Sequence, residues 1–110
     1  MLDHDPKHKM RMIPSGQWED FLKDLAQTQQ GKTIHIEQGE VTRQVILETL
    51  EYHTSLLGSN EVEITTKEAG VDQTITVDFN LMWAVFDQDD TMIAVELTDE
   101  QNRKTILRLQ

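Results

Sequence analysis

The hydrophobic period of this chain changes at Gly31, and the change limits what it can fold into. Before it, Trp18, Phe21, Leu22, Leu25 and Ala26 fall at i, i+3, i+4, i+7 and i+8. That spacing gathers apolar side chains into one stripe of an α-helix. After it, apolar and polar residues alternate, the two-residue period of a half-buried strand. One amphipathic helix followed by many such strands has a simple solution, in which the helix covers the sheet. The sequence predicts an α+β domain: an N-terminal helix packed on an antiparallel sheet of six to eight strands, strongly curled or closing into a small barrel.

The helix carries its own start and stop signals. Pro14 disfavours helical geometry at Ile13, whose side chain is expected to fold back near Trp18 as a hydrophobic staple. Ser15 is placed to cap the first turn with its hydroxyl, and Gly31 stands where a left-handed residue ends a helix. Fraying is expected near Thr28-Gln29-Gln30. Residues 1–11 are polar, contain Pro6 and show no period. They read as a mobile leader, which leaves 12–110 as a single domain. His4 and His8 are four apart, but Pro6 lies between them and no third ligand is near, so no metal site is assigned there.

Beyond Gly31, Ile34 and Ile36 face one way and His35 and Glu37 the other. Gly39-Glu40 forms a tight turn. From Val41 to Tyr52 the β-branched residues Val41, Thr42, Val45, Ile46 and Thr49 favour strand. Val41, Val45 and Leu47 suit one face, whereas Ile46, Leu50 and Tyr52 suit the other. That change of phase predicts a long strand with a bend or bulge near Glu48, or two short strands, with a helix as the competing reading. Gly58-Ser59-Asn60 is a turn. Two clean alternations around Glu68-Ala69-Gly70 predict a hairpin, with Val62, Ile64 and Thr66 inward on one arm and Val71, Ile75, Val77 and Phe79 on the other. Leu81 to Phe86 is apolar on both faces. It is expected between the sheet and the helix, with Trp83 near Trp18 or Phe21. A last hairpin turns at Asp99-Glu100-Gln101-Asn102, with Ile93, Val95 and Leu97, then Thr105, Leu107 and Leu109, inward.

The net charge is −10. Residues 1–33 are balanced, whereas residues 34–79 hold nine acids against only Arg43 and Lys67. Such a sheet repels phosphate backbones, so no nucleic-acid partner is expected. The chain has no cysteine, which removes disulfides, thiolate metal sites and thiol nucleophiles and suits a reducing cytoplasm. No apolar run reaches the ~18 residues of a membrane span. The first ten residues lack the apolar middle of a signal peptide. A soluble, cytoplasmic protein with no membrane partner is expected.

Catalytic patterns are missing. No glycine-rich phosphate loop occurs, and the serines at 15, 55 and 59 lack a nucleophile elbow. Asp87-Gln88-Asp89-Asp90 lacks the glycine and distal glutamate of a calcium loop. His35 reads as a solvated or hydrogen-bonded outward residue. Acid pairs such as Glu61/Glu63 carry no signal in a chain with twenty acids unless a pocket holds them. No catalytic, cofactor-binding or metal residue is assigned, and no cofactor. The expected function is a non-enzymatic protein-binding or assembly domain that forms a weak homodimer through edge strands. Alternatives are a secretion-type chaperone, or an acidic DNA mimic that inhibits a basic protein.

The two ends of the chain carry a resemblance. Arg11-x-Ile13-Pro14-x-x-x-Trp18-x-x-Phe21-Leu22 opens it, and Ile93-x-Val95-x-Leu97 with Thr105-Ile106-Leu107-Arg108-Leu109 closes it. In this it resembles a family of short, mostly bacterial proteins known as a domain of unknown function. Where those proteins commonly carry Gly-Trp after the helix, this chain has Gly31-Lys32. The resemblance implies the fold and brings no activity or cofactor.

Overall fold

Eight antiparallel strands and one α-helix make up residues 8–109, the part of the chain that the computed structural model describes. The expectations for His4 and the rest of residues 1–7 lie outside the described residues. The strands are β1 (Lys9–Met12), β2 (Thr33–Gln38), β3 (Val41–Thr54), β4 (Asn60–Glu68), β5 (Val71–Phe79), β6 (Leu81–Phe86), β7 (Met92–Thr98) and β8 (Lys104–Arg108). Helix α1 spans Trp18–Gln29. No helix among the described residues is long and apolar enough to cross a membrane.

The strands lie in the order β1-β6-β7-β8-β2-β3-β4-β5. Two meanders, β2 to β5 and β6 to β8, are therefore joined through β2 and β8. There His35 to Gln38 pair with Arg108 to Thr105. Asn80 alone separates β5 from β6, and its N–H donates to the Thr98 carbonyl at 2.8 Å. Among the described residues β1 and β5 each keep one unpaired side, so the hydrogen-bonded ladder there does not close into a barrel.

One face of this sheet and the helix share a core. Trp18, Leu22 and Leu25 of α1 are buried against residues that include Ile34, Ile36, Val45, Leu47, Val62, Ile64, Leu97 and Leu107. Each fully buried leucine or isoleucine is worth about 1.5–3 kcal/mol against an exposed one. Trp18 sits at the aromatic end of this core, with ring centroids 4.8 Å from Phe79 and 6.4 Å from Tyr52. Ile13 is buried and its N–H bonds the Met82 carbonyl at 2.9 Å, which ties the start of the helical segment to β6.

β3 carries the irregularity that its change of phase predicts. The pairing with β4 shifts register between Leu47 and Thr49. One extra residue, Glu48, turns Leu50 and Tyr52 to the same face as Val45 and Leu47. Ile46 stays on the outer face at 41% exposure.

Three hairpin loops, residues 55–59, 87–91 and 99–103, are built to one plan. In each, the first residue's backbone N–H bonds the fifth residue's carbonyl, at 2.8, 2.9 and 3.0 Å. Its side-chain oxygen accepts the fifth residue's N–H, at 3.1 Å for Ser55, 3.0 Å for Asp87 and 2.9 Å for Asp99. The fourth residue, Gly58, Asp90 or Asn102, has φ between 61° and 85°. Serine and aspartate suit the first position because a short side-chain oxygen reaches the backbone two to four residues on. Glycine, asparagine and aspartate tolerate the left-handed fourth.

Five local expectations are corrected. The leader was expected to run to Arg11, but Lys9–Met12 is a strand paired with β6; Met10 packs on Val85 and the Arg11 guanidinium lies 5.3 Å from the Phe86 ring centroid. Ser15 makes no side-chain cap, because residues 15–17 form a 3-10 turn and α1 begins only at Trp18. Trp83 is not beside Trp18 or Phe21: it shares the outer face with its cross-strand partner Glu96, and its neighbours Met82 and Ala84 point to the core. Ile93 packs with the outer Val85 and Ala94 rather than inward, because a register shift between Val85 and Phe86 displaces it. Val71 keeps the inward phase of β5 but lies at the far end of its hairpin, 59% exposed.

Candidate functional site

The outer face of β1, β6, β7 and β8 is unlike an ordinary solvated sheet face. Strand alternation puts Met10 and Met12, Leu81, Trp83 and Val85, Ala94 and Glu96, and Ile106 on that side. Val85 and Ala94 are fully buried, with Met10, Ile93 and Ile106 packed on them. Met12 and Leu81 flank Trp83 and remain 51% and 40% exposed. Glu96 lies in the middle of this apolar row, between Trp83 and Ile106, with 2% of its surface exposed. An isolated carboxylate there would be costly. Lys104 answers it, with Nζ 3.0 Å from Oε1. Arg108 and Glu37 form a second pair at the edge of the same face.

Charge divides the sheet. β1, β6, β7 and β8 hold Lys9, Arg11, Lys104 and Arg108 against Glu96 alone. β3, β4 and β5 hold Glu48, Glu51, Glu61, Glu63, Glu68, Asp72 and Asp78 against Arg43 and Lys67. The acidic excess that the sequence places on the sheet is thus on one half of it and in the loops.

A cleft of about 620 Å³ opens where the free side of β5, at Thr76 to Asp78, faces the β2–β3 turn and the start of β8. Its charged lining is Glu37, Asp78 and Asp99 with Arg103, Lys104 and Arg108. These charges largely answer one another. Arg103 Nε donates to Asp99 Oδ2 at 2.8 Å, and Arg108 bonds Glu37. Burial works to raise the Asp99 carboxyl, but the Arg103 N–H, the Arg103 guanidinium and the Gln101 N–H outweigh it and hold the group below its usual value. Leu56 and Leu57, fully exposed at the tip of the β3–β4 loop, stand beside this rim, where Leu57 lines a second depression with Asp99 and Arg103.

The residues weighed as chemical candidates scatter. His35 is on the outer face of β2, half-buried, between Gln44 and Arg108. Asp87 spends its carboxylate on the N–H groups of Asp89 and Thr91 in its own loop. Glu61 and Glu63 point outward from β4 toward β3. There Glu63, Glu51 and His53 come together, with Nε2 of His53 3.5 Å from Glu51 and 3.6 Å from Glu63. Glu51 and His53 are visible in the sequence as an i, i+2 pair. Glu63 joins them only through the β3–β4 register.

No protein-family model, curated protein or solved structure matches the chain.

Proposed function

We propose that this is a protein-binding domain that associates with a second copy of itself through the outer face of β1, β6, β7 and β8. The observation that carries the reading is the exposure of Met12 and Leu81 on either side of Trp83. Methionine and tryptophan at the centre of a face poor in charge is the composition of an interface core. A second copy is favoured by charge. At net −10 two chains repel, and this half of the sheet is where the acids are fewest. The Glu96–Lys104 pair neutralises itself within the face, so a symmetric contact brings no uncompensated charge together. Among the described residues, Met12 and Leu81 are the two large apolar residues this face exposes, few for a stable interface, so the dimer is weak.

A secretion-type chaperone needs further helices, and α1 is the one α-helix among the described residues. The DNA-mimic alternative would use the acidic β3–β5 half instead, and its binding to a basic protein would fall steeply with salt.

Sedimentation velocity from about 10 to 500 µM tests the dimer. The wild-type chain should shift toward a dimer across that range. The M12E/L81E double variant, changed at two exposed positions, should stay monomeric with an unaltered circular dichroism spectrum. A wild-type chain that remains monomeric throughout would refute the proposal.

A further inference from the structure

The half of the sheet away from Trp83 holds a different arrangement. Glu51 and His53 are two apart on β3 and point to the same side, and Glu63 of β4 lies directly opposite Glu51. Nε2 of His53 and one oxygen of each carboxylate all lie within 4.8 Å of one another. An ion bound tetrahedrally at ~2.1 Å holds its ligand atoms ~3.4 Å apart. The two distances from His53, 3.5 and 3.6 Å, are already close to that. The remaining carboxylate–carboxylate separation can close by rotating exposed glutamate side chains, with no movement of backbone.

The surroundings favour a cation. Glu61 lies opposite His53, and Asp78 of β5 lies opposite Glu61. The outward neighbours Thr49, Thr65, Thr74 and Thr76 are neutral, and Lys67, further along β4 on this face, is held by Glu48 and Asp72. Like charges directly opposed on neighbouring strands destabilise a sheet, and Glu51–Glu63 is such a pair. A bound cation turns that repulsion into ligation. The imidazole and both carboxylates are open to solvent, which leaves room for ligands beyond the protein's own.

We propose that Glu51, His53 and Glu63 bind one divalent transition-metal ion of the zinc type, with solvent completing its coordination. The imidazole nitrogen selects for zinc, cobalt or nickel over magnesium and calcium, which take oxygen ligands. The site is independent of the self-association proposed above, because it lies on the other half of the sheet.

Calorimetric titration of the full chain with Zn²⁺, and visible absorption with Co²⁺, test it. One ion per chain is expected, with the intense bands of four- or five-coordinate cobalt. Losing even an outer-shell partner costs a metal site 10–100-fold, so H53A and E63Q should each weaken binding by at least about tenfold. Both change exposed side chains, and thermal melting without metal should show no loss of stability. The rival ligands are His4 and His8, so the H4N/H8N variant should bind as the wild type does. No uptake by the wild type, or uptake lost in H4N/H8N and unchanged in H53A, would overturn the assignment.

Discussion

The indole nitrogen of Trp18 donates to the carbonyl oxygen of Ile13 at 2.8 Å, inside the core. That one bond joins the first residue of α1 to the segment that is itself anchored on β6, so Trp18 is both a packing residue and a clasp. Trp18→Phe keeps most of the ring but strands the Ile13 carbonyl, and should cost about 2 kcal/mol. Trp18→Ala also empties the space beside Phe79 and should cost about 3–5 kcal/mol. Urea unfolding followed by circular dichroism gives both values, and a Trp18→Phe variant as stable as wild type would show that the bond contributes nothing.

Ala69 has φ +52° in the two-residue turn between Glu68 and Val71, and Gly70 follows at +81°. A turn with both central residues left-handed prefers Asn-Gly, and alanine there is strained. Ala69→Asn should stabilise the protein by about 0.5–1 kcal/mol, whereas the β-branched Ala69→Val should destabilise it. Paired denaturant melts decide the sign.

Glu96 is buried and depends on Lys104, whose side chain is one-third exposed. Lys104→Met leaves the carboxylate without its cation, at a cost of about 2–3 kcal/mol. Adding Glu96→Leu should recover most of that loss, because an apolar pair of similar volume then fills the row between Trp83 and Ile106. A double-mutant cycle measures the coupling. Independent, additive losses would mean that the two charges do not support one another.

Asp99 titrates below its ordinary range because its hydrogen bonds to Arg103 and Gln101 outweigh the effect of burial. A carboxyl depressed on folding adds stability that is complete above its unfolded-state value. That stability is lost as pH falls through the lower folded value. The gap in urea midpoint between wild type and Asp99→Asn should therefore be widest near about pH 7 and shrink near about pH 2.5. A gap that is constant with pH would assign the effect of the substitution to loop shape alone.

Where period and turn chemistry agree, the fold is legible from the residues. The bulge at Glu48 shows in the change of phase from Val45 and Leu47 to Leu50 and Tyr52. The hairpin arms around Ala69-Gly70 show in their alternation. β1 is hard to read because Lys-Met-Arg-Met is short and half basic, although its own alternation marks it. The faces of Trp83 and Ile93 are not legible for a shared reason. Each stands in a run that is apolar at every position, Leu81 to Phe86 and Met92 to Val95, and such a run does not say which face meets the helix. The grouping of Glu63 with Glu51 and His53 was out of reach, because it depends on register across a loop and not on spacing along the chain.

The joint between β2 and β8 has a consequence for when the protein can fold. Every other strand pairing except β1–β6 links neighbours in sequence, which find each other early because little chain must be ordered to bring them together. β2 must wait for a partner about seventy residues further on. During synthesis, the first meander emerges with β2 unpaired and its apolar Ile34 and Ile36 lacking the Leu107 neighbour that will cover them. A ribosome paused before residue 104 therefore holds a sticky, unfinished sheet, and β8, made after the strands it joins, is the one that locks the two halves.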